Sequence, residues 1–329
     1  MSRRDTVLAA TGLLLLVFVG WRIGWHSVLS ELAAVRWGIA VIVLLSSVRL
    51  LLQTRSWSIA LRQDGIHSST RELMLIRLAS QGIGYLTVLG PVASEPMKIS
   101  LLRKHSKSPT AATLVDTGMY WFASGLVAVA GCLAACVLLA HSPKSVASAV
   151  ILASIVMAGL FVIARPRLLL TPLGDSLGAR CPKWLRKAGQ IEIAVRKFAL
   201  EDRSAIRQMF LLDLGCQVLM AAEVATVFYF LNLPLHAGTI LGLEAASRMV
   251  KMVAGWMPAR IGADESGAAG AFLSFGLPAA AGVALALARR TRDLLACLVG
   301  LTWLAWMSRR RDDSLAPEVK PLTAEMEAI

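Results

Sequence analysis

The sequence predicts an all-α membrane protein that crosses the bilayer several times, and three observations lead there. Of its 329 residues, 56% are hydrophobic and only 17% are charged, against roughly 25% charged in soluble domains. The apolar residues fall in repeated runs of the length a helix needs to cross roughly 30 Å of hydrocarbon. No run alternates apolar and polar residues with period two. Barrel strands are thereby excluded, which leaves helices, whose backbone groups satisfy one another.

Six stretches have the character of full spans, at about 6–23, 36–52, 110–140, 145–164, 208–231 and 279–307. The first follows Arg3 and Arg4 like the apolar core of a signal peptide. Trp21, Arg22 and Trp25 stand where small cleavage-site residues belong, so it reads as an uncleaved span. Trp21, Trp25, Trp37, Trp57, Trp121, Trp303 and Trp306 lie near run ends, where an aromatic belt is expected. In the last stretch Arg289, Arg290, Arg292 and Asp293 interrupt the apolar pattern, and a rival reading ends one span at Ala288 and opens another at Leu294. One long span is preferred, because two would send Arg309, Arg310 and Arg311 to the outer face.

Two further apolar stretches read as broken or re-entrant segments. The first, 73–92, contains Arg77, Gln81, Gly82, Gly84, Gly90 and Pro91; the second, 238–257, contains Glu244, Arg248, Lys251 and Gly255 and runs into Pro258. Gly and Pro free backbone groups that lipid cannot satisfy, so such breaks belong against protein or a watery cavity. Each stretch is followed by a short helical segment, a proline (Pro109, Pro278) and a long apolar helix. Three full spans separate them, which predicts an inverted repeat with halves at about 5–142 and 143–311.

The formal charge of +13 does not signal nucleic acid. Lys and Arg gather between apolar runs without any recognition motif, and topology plus attraction to anionic lipid accounts for them. With both termini cytoplasmic, Arg55, Arg62 and Arg71, then Arg103, Lys104 and Lys107, the basic loop after the fourth span and Arg309 to Arg311 all fall inside. Within that loop Trp184, Ala188, Ile191, Val195 and Phe198 share one face, which predicts an amphipathic interfacial helix at about 183–200. The tail, 312–329, is polar and reads as disordered. Cys132, Cys136, Cys181, Cys216 and Cys297 form no CxxC pair and read as free thiols. The histidines are scattered, so neither a metal site nor a cofactor is expected.

Ionisable groups at membrane depth are costly and therefore candidates for function. Glu95 and Lys98 are three residues apart and share a helix face. Asp116 stands seven residues past Pro109, roughly 10 Å into its helix; it needs a basic partner, and Arg289 or Arg290 is the candidate. Arg248 and Lys251 share a face of an apolar segment, and Arg260, Asp264 and Glu265 follow at its break. Such cations, with freed helix N-terminal N–H groups, suit a phosphate. The blander reading makes these residues ion pairs, caps and snorkelling side chains. No GxxxxGK[ST], GxSxG or HExxH motif is present, so ATP-driven transport is not expected and no catalytic residue is assigned.

Pro91, Glu95 and Lys98, Asp116 early in the next long helix, and Pro258, Gly262 and Glu265 before an Arg-bearing last helix carry a family resemblance. Together they resemble the transmembrane region of lysylphosphatidylglycerol synthases and its stand-alone flippase-like relatives, including a hopanoid-associated branch, over most of 5–310. Ser94, Ala259 and Arg260 stand where that pattern has glycines. The resemblance implies one flippase-like domain over 1–311 in a bacterial inner membrane, moving an anionic, amino- or aminoacylated phospholipid between leaflets. Glu95, Lys98, Asp116, Arg248, Lys251, Arg260, Glu265 and Arg289 are the candidate substrate-binding residues. No aminoacyl-transfer domain follows Arg311, so lipid lysylation is not expected. Two alternatives stand beside translocation: an enzyme modifying a lipid, with Glu95 or Glu265 as acid or base, and a non-transporting partner of a lipid-modifying enzyme.

Overall fold

The computed structural model describes residues 25–86, 91–102, 109–139, 202–255 and 260–315, together with Ile193 and Met257, and contains helices but no strand among them. The helices are α1 (Trp25–Gln63), α2 (Thr70–Leu86), α3 (Pro91–Leu102), α4 (Thr110–Leu139), α5 (Arg203–Phe230), α6 (Ala237–Val253), α7 (Ala263–Ser274) and α8 (Ala279–Leu315). Three of them, α1 over Ala33–Gln63, α4 and α5, are long and apolar enough to cross a membrane. α8, at 37 residues, is about 55 Å long by its rise and is unbroken through 289–293, so the rival reading with two spans there is not found. The first and fourth expected spans, Cys181 and nearly all of the amphipathic loop segment lie outside the described residues.

Local chemistry sets the helix ends. Ser69 caps α2, accepting the Glu72 N–H at 3.2 Å, and Asp202 caps α5, accepting the Ser204 and Ala205 N–H groups at 3.0 Å each. Beyond α1, Gly65 takes a left-handed φ of 69°, and the Ile66 N–H reaches back to the Leu61 carbonyl at 2.9 Å, closing the helix in a Schellman turn. α1 extends well past both ends of the expected span at 36–52, and α8 continues four residues beyond the expected boundary at 311, to Leu315.

Two apolar clusters anchor the bundle. The first joins Trp57, Leu61 and Ile66 at the end of α1 with Leu73 and Ile76 of α2, Leu102 at the end of α3, Ala112 and Val115 at the start of α4 and Met209 of α5; Trp303 of α8 packs on it. The second joins Val35 and Ile42 of α1, Val224, Val227 and Phe228 late in α5, Leu243 of α6, Phe272 of α7 and Ala281 and Leu285 at the start of α8. Membership fixes direction for α5, which runs from the first cluster toward the second, and for α1 and α8, which run the other way. α4 starts in the first cluster, and its far end meets the start of α6, where Leu138 lies against Gly238.

The order helix, short helix, long helix occurs twice. α2, α3 and α4 have 17, 12 and 30 residues; α6, α7 and α8 have 17, 12 and 37. The packing is exchanged between the sets, with α2 against α8 and α6 against α4, while α1 and α5 pack on each other. α2 starts and α3 ends in the first cluster; α6 and α7 contribute to the second. The second expected broken segment is not one continuous helix, since α6 ends at Val253 with Ala254 as its C-cap; in the first, residues 87–90 lie outside the described residues.

Outward-facing positions are apolar. Trp37, Leu44, Val137, Val218, Tyr229 and Leu298 are among the exposed large hydrophobic residues, the surface a bilayer covers. Trp57 is the exception to the expected belt. It is fully buried, because α1 continues past it to Gln63 and leaves it in the first cluster.

Candidate functional site

The buried charges lie between the two apolar clusters and form two groups. In the first, Arg77 of α2 forms an ion pair with Asp116 of α4, both nearly sealed from solvent. Lys98 of α3 bonds Glu95 at 2.8 Å, and the other Glu95 oxygen accepts the Thr117 hydroxyl at 3.0 Å. Trp57 organises these cations. Its ring lies 5.6 Å from the Arg77 guanidinium and 5.9 Å from the Lys98 ammonium, within reach of cation–π attraction, and its Nε1 donates to Thr113 at 3.3 Å.

The second group is larger and centres on Arg289 of α8. This guanidinium donates to Glu223 of α5 at 3.2 Å, to Ser247 of α6 at 3.2 Å, to the Met220 carbonyl at 3.1 Å and to Glu244 of α6 at 3.1 Å. Arg292 bonds the other oxygen of Glu223, and Asp293 at 2.9 Å. Arg248 donates to Ser124 of α4 and to Gln217 of α5, the latter at 2.7 Å. Most of these interior charges are paired, across helices or within one, which offsets the cost of removing both partners from water.

A third set of contacts lies at the turn between α6 and α7. The chain turns between α6 and α7 with Arg260 at φ 46° and Gly262 at φ 78°. Glu265, buried in the first turn of α7, accepts the Gly262 N–H at 2.8 Å and the Arg290 Nε at 2.7 Å. Arg290 also reaches the Arg260 carbonyl at 3.4 Å. Arg260 pairs with Asp264 at 3.2 Å and lies 5.6 Å from the Tyr85 ring at the end of α2. Lys251, half-buried at the end of α6, has no hydrogen bond or ion pair among the described residues. Arg248, Lys251, Arg260, Arg289, Arg290 and Arg292 face Glu223, Glu244, Asp264, Glu265 and Asp293, one more cation than carboxylate.

A helical interior of this kind, wrapped in an apolar surface, belongs to a multi-pass membrane protein. A family model described as the lysylphosphatidylglycerol synthase TM region matches residues 6–316. The chain belongs to that family. No curated protein and no solved structure matches it.

In this member of the lysylphosphatidylglycerol synthase TM family, the residues singled out from sequence divide between the groups. Glu95, Lys98 and Asp116 lie in the first; Arg248, Lys251, Arg260, Glu265 and Arg289 lie in the second and at the adjoining α6–α7 turn. The expected partner of Asp116 is corrected. Arg77 takes that place, because Arg289 sits on the α8 face turned to α5 and α6, and Arg290 turns to Glu265. Arg248 and Lys251 share a helix face but differ in their contacts, the first bonded into the bundle and the second without an ion pair among the described residues. Sequence reasoning missed Asp213, Gln217 and Glu223, all buried on α5. The signal was present, because acids inside an expected full span are as costly as those it did weigh. The four described cysteines are free and buried.

Proposed function

We propose that this chain moves a phospholipid, or an aminoacylated or related lipid, between the leaflets of a bacterial inner membrane. The reading rests on the charge group between α5, α6, α7 and α8, where, among the described residues, cations exceed carboxylates and Lys251 makes no ion pair. A lipid phosphate crossing the apolar layer needs cationic partners in transit. Lys251 supplies one without first breaking an ion pair, and Arg260 and Arg290 flank it. Glu265 holds Arg290 at the α6–α7 turn, while Arg289, its donors already engaged, clamps α5, α6 and α8 together. Glu95 and Lys98 make the corresponding pair in the other half.

The halves 5–142 and 143–311 are read as an inverted repeat. The α2–α3 pair enters from and returns to one face, and the α6–α7 pair does so from the other. The repeated helix lengths, the exchanged packing and the opposite directions of α4 and α8 support this. Full spans over 6–23 and 145–164 complete the six-span arrangement.

The test uses purified protein in vesicles of phosphatidylethanolamine and phosphatidylglycerol, with a fluorescent analogue of each in turn. Lys251→Gln and Glu265→Gln are expected to slow movement about tenfold, equivalent to about 1.4 kcal/mol on the barrier. Arg62→Gln, exposed in the last turn of α1, is expected to leave the rate unchanged. Chromatography of the recovered lipid separates the alternatives. A chemically altered lipid marks an enzyme, and an unaltered lipid that stays in its leaflet removes the translocase reading.

A further inference from the structure

Among the described residues Asp213 is the buried acid that the ion-pair network leaves out. It sits about 15 Å along α5 from Arg203 by helical rise, midway through a helix apolar enough to span the membrane, and it is 1% exposed. One carboxyl oxygen meets the Ser56 hydroxyl of α1 at 3.4 Å; the other has no partner among the described residues. Its electrostatic neighbours are Asp116 of α4 and Arg77 of α2. Arg77 is already committed to Asp116, yet its own Nε is buried without a partner.

Among the described residues the remaining charges do not help it: Lys98 and Glu95 of α3 also act on Asp116 but are bonded to each other. On α1, Arg49 lies beside Cys216, one turn along α5. From α6, Arg248 is directed to Gln217, and from α8, Arg292 to Glu223. One arginine therefore serves two carboxylates. A buried carboxylate without a cation or a full set of donors is too costly to stay ionised, whereas the neutral acid is tolerated. The neutral form also suits the contacts, since it presents one O–H and one carbonyl where only a single hydroxyl approaches.

We infer that Asp213 is a proton-binding site inside the membrane, exchanging its proton as Arg77 is shared between Asp116 and Asp213, and that lipid movement is coupled to the proton gradient through it. With Arg77 on Asp116, Asp213 holds a proton. When Arg77 turns its unpartnered Nε edge to Asp213, that carboxyl ionises and Asp116 accepts a proton in exchange. Charge in the group is conserved in both arrangements, so the switch costs no net buried charge. Intramembrane acids arranged this way are the material of proton relays.

The coupling rests on the proposed lipid movement; the proton site does not, and two measurements separate them. In the fluorescent-phosphatidylglycerol vesicles, an imposed pH gradient is expected to speed movement several-fold for the wild type. Asp213→Asn, which matches the neutral acid in shape, is expected to fold and keep the basal rate without responding to the gradient. A full response in Asp213→Asn overturns the coupling. Independently, infrared spectra of the purified protein at neutral pH are expected to show a protonated-carboxyl carbonyl band that Asp213→Asn removes. If the two spectra agree in that region, Asp213 is ionised and the inference fails, whatever the lipid does.

Discussion

Asp202 shows how one polar side chain fixes the start of a long apolar helix. Its Oδ1 accepts the Ser204 and Ala205 N–H groups, and Gln63 donates to Oδ2 at 2.5 Å, tying the end of α1 to the start of α5. The Ala205 N–H above all, with the Ser204 side chain, holds this carboxyl below the usual aspartate range. A depressed acid contributes stability that is present above its unfolded pKa, about 3.9, and is lost as pH falls through the folded value. Asp202→Ala is therefore expected to lower the melting temperature in detergent at pH 7, with the gap from wild type closing as the buffer is acidified below that range. A gap that persists in acid would show that the cap works through something other than its charge. Trp57 was harder to place from sequence. A tryptophan near the end of an apolar run suits an interfacial belt as well as a core, and only the continuation of α1 to Gln63 decides between them. Glu95 and Lys98 were legible because their spacing is local; Arg77 with Asp116 was not, since that pair depends on how distant helices meet.

Helix elements meet through glycine at equivalent places. Gly131 is residue 22 of α4 and Gly300 is residue 22 of α8, counting from Thr110 and Ala279. A Cβ added at Gly131 would lie 2.2 Å from the Leu241 carbonyl oxygen of α6, and one at Gly300 would lie 2.4 Å from the Leu78 carbonyl of α2. Small residues that let backbones touch are a main means of helix association in lipid, where burial of apolar surface drives nothing. Because each obstruction is backbone, the helices must part to admit a methyl group. Gly131→Ala and Gly300→Ala are each expected to cost about 1–3 kcal/mol, read as loss of folded protein in a detergent melt. Gly118, in the same α4 helix with nothing within 4 Å, is the contrast. Gly118→Ala is expected to stabilise by about 0.5–1 kcal/mol through helix propensity. Equal losses at all three positions would refute close packing as the cause. The end of α6 before the long helix α8 was visible in Gly255 and Pro258, but the exchange of partners between the two sets of helices was not, because nothing local in α2 says that it packs on α8.

At the scale of the molecule, the directions of the helices sort the basic residues. The end of α1, the starts of α2, α4 and α5 and the later part of α8 lie on the side of the first apolar cluster. Arg62, Arg71, Arg203 and Arg207 belong to those helix ends, and in the sequence Arg103, Lys104 and Lys107 lead into α4 while Arg309 to Arg311 fall late in α8. The other side collects the end of α4, the end of α5 and the starts of α6 and α8, where the sequence carries few cations. Cytoplasmic faces hold the Lys and Arg excess, so the first side is the cytoplasmic one in the arrangement proposed above. Antiparallel α4 and α8 then carry a sharp consequence. A reporter fused after Leu139 and one fused after Arg311 must lie on opposite sides of the membrane. Green fluorescent protein, which folds only in the cytoplasm after ordinary export, is expected to glow at 311 and stay dark at 139; alkaline phosphatase, active only outside, is expected to give the reverse. Matching signals at both sites would mean that α4 and α8 run parallel across the bilayer, and the inverted arrangement of the halves would fall with them.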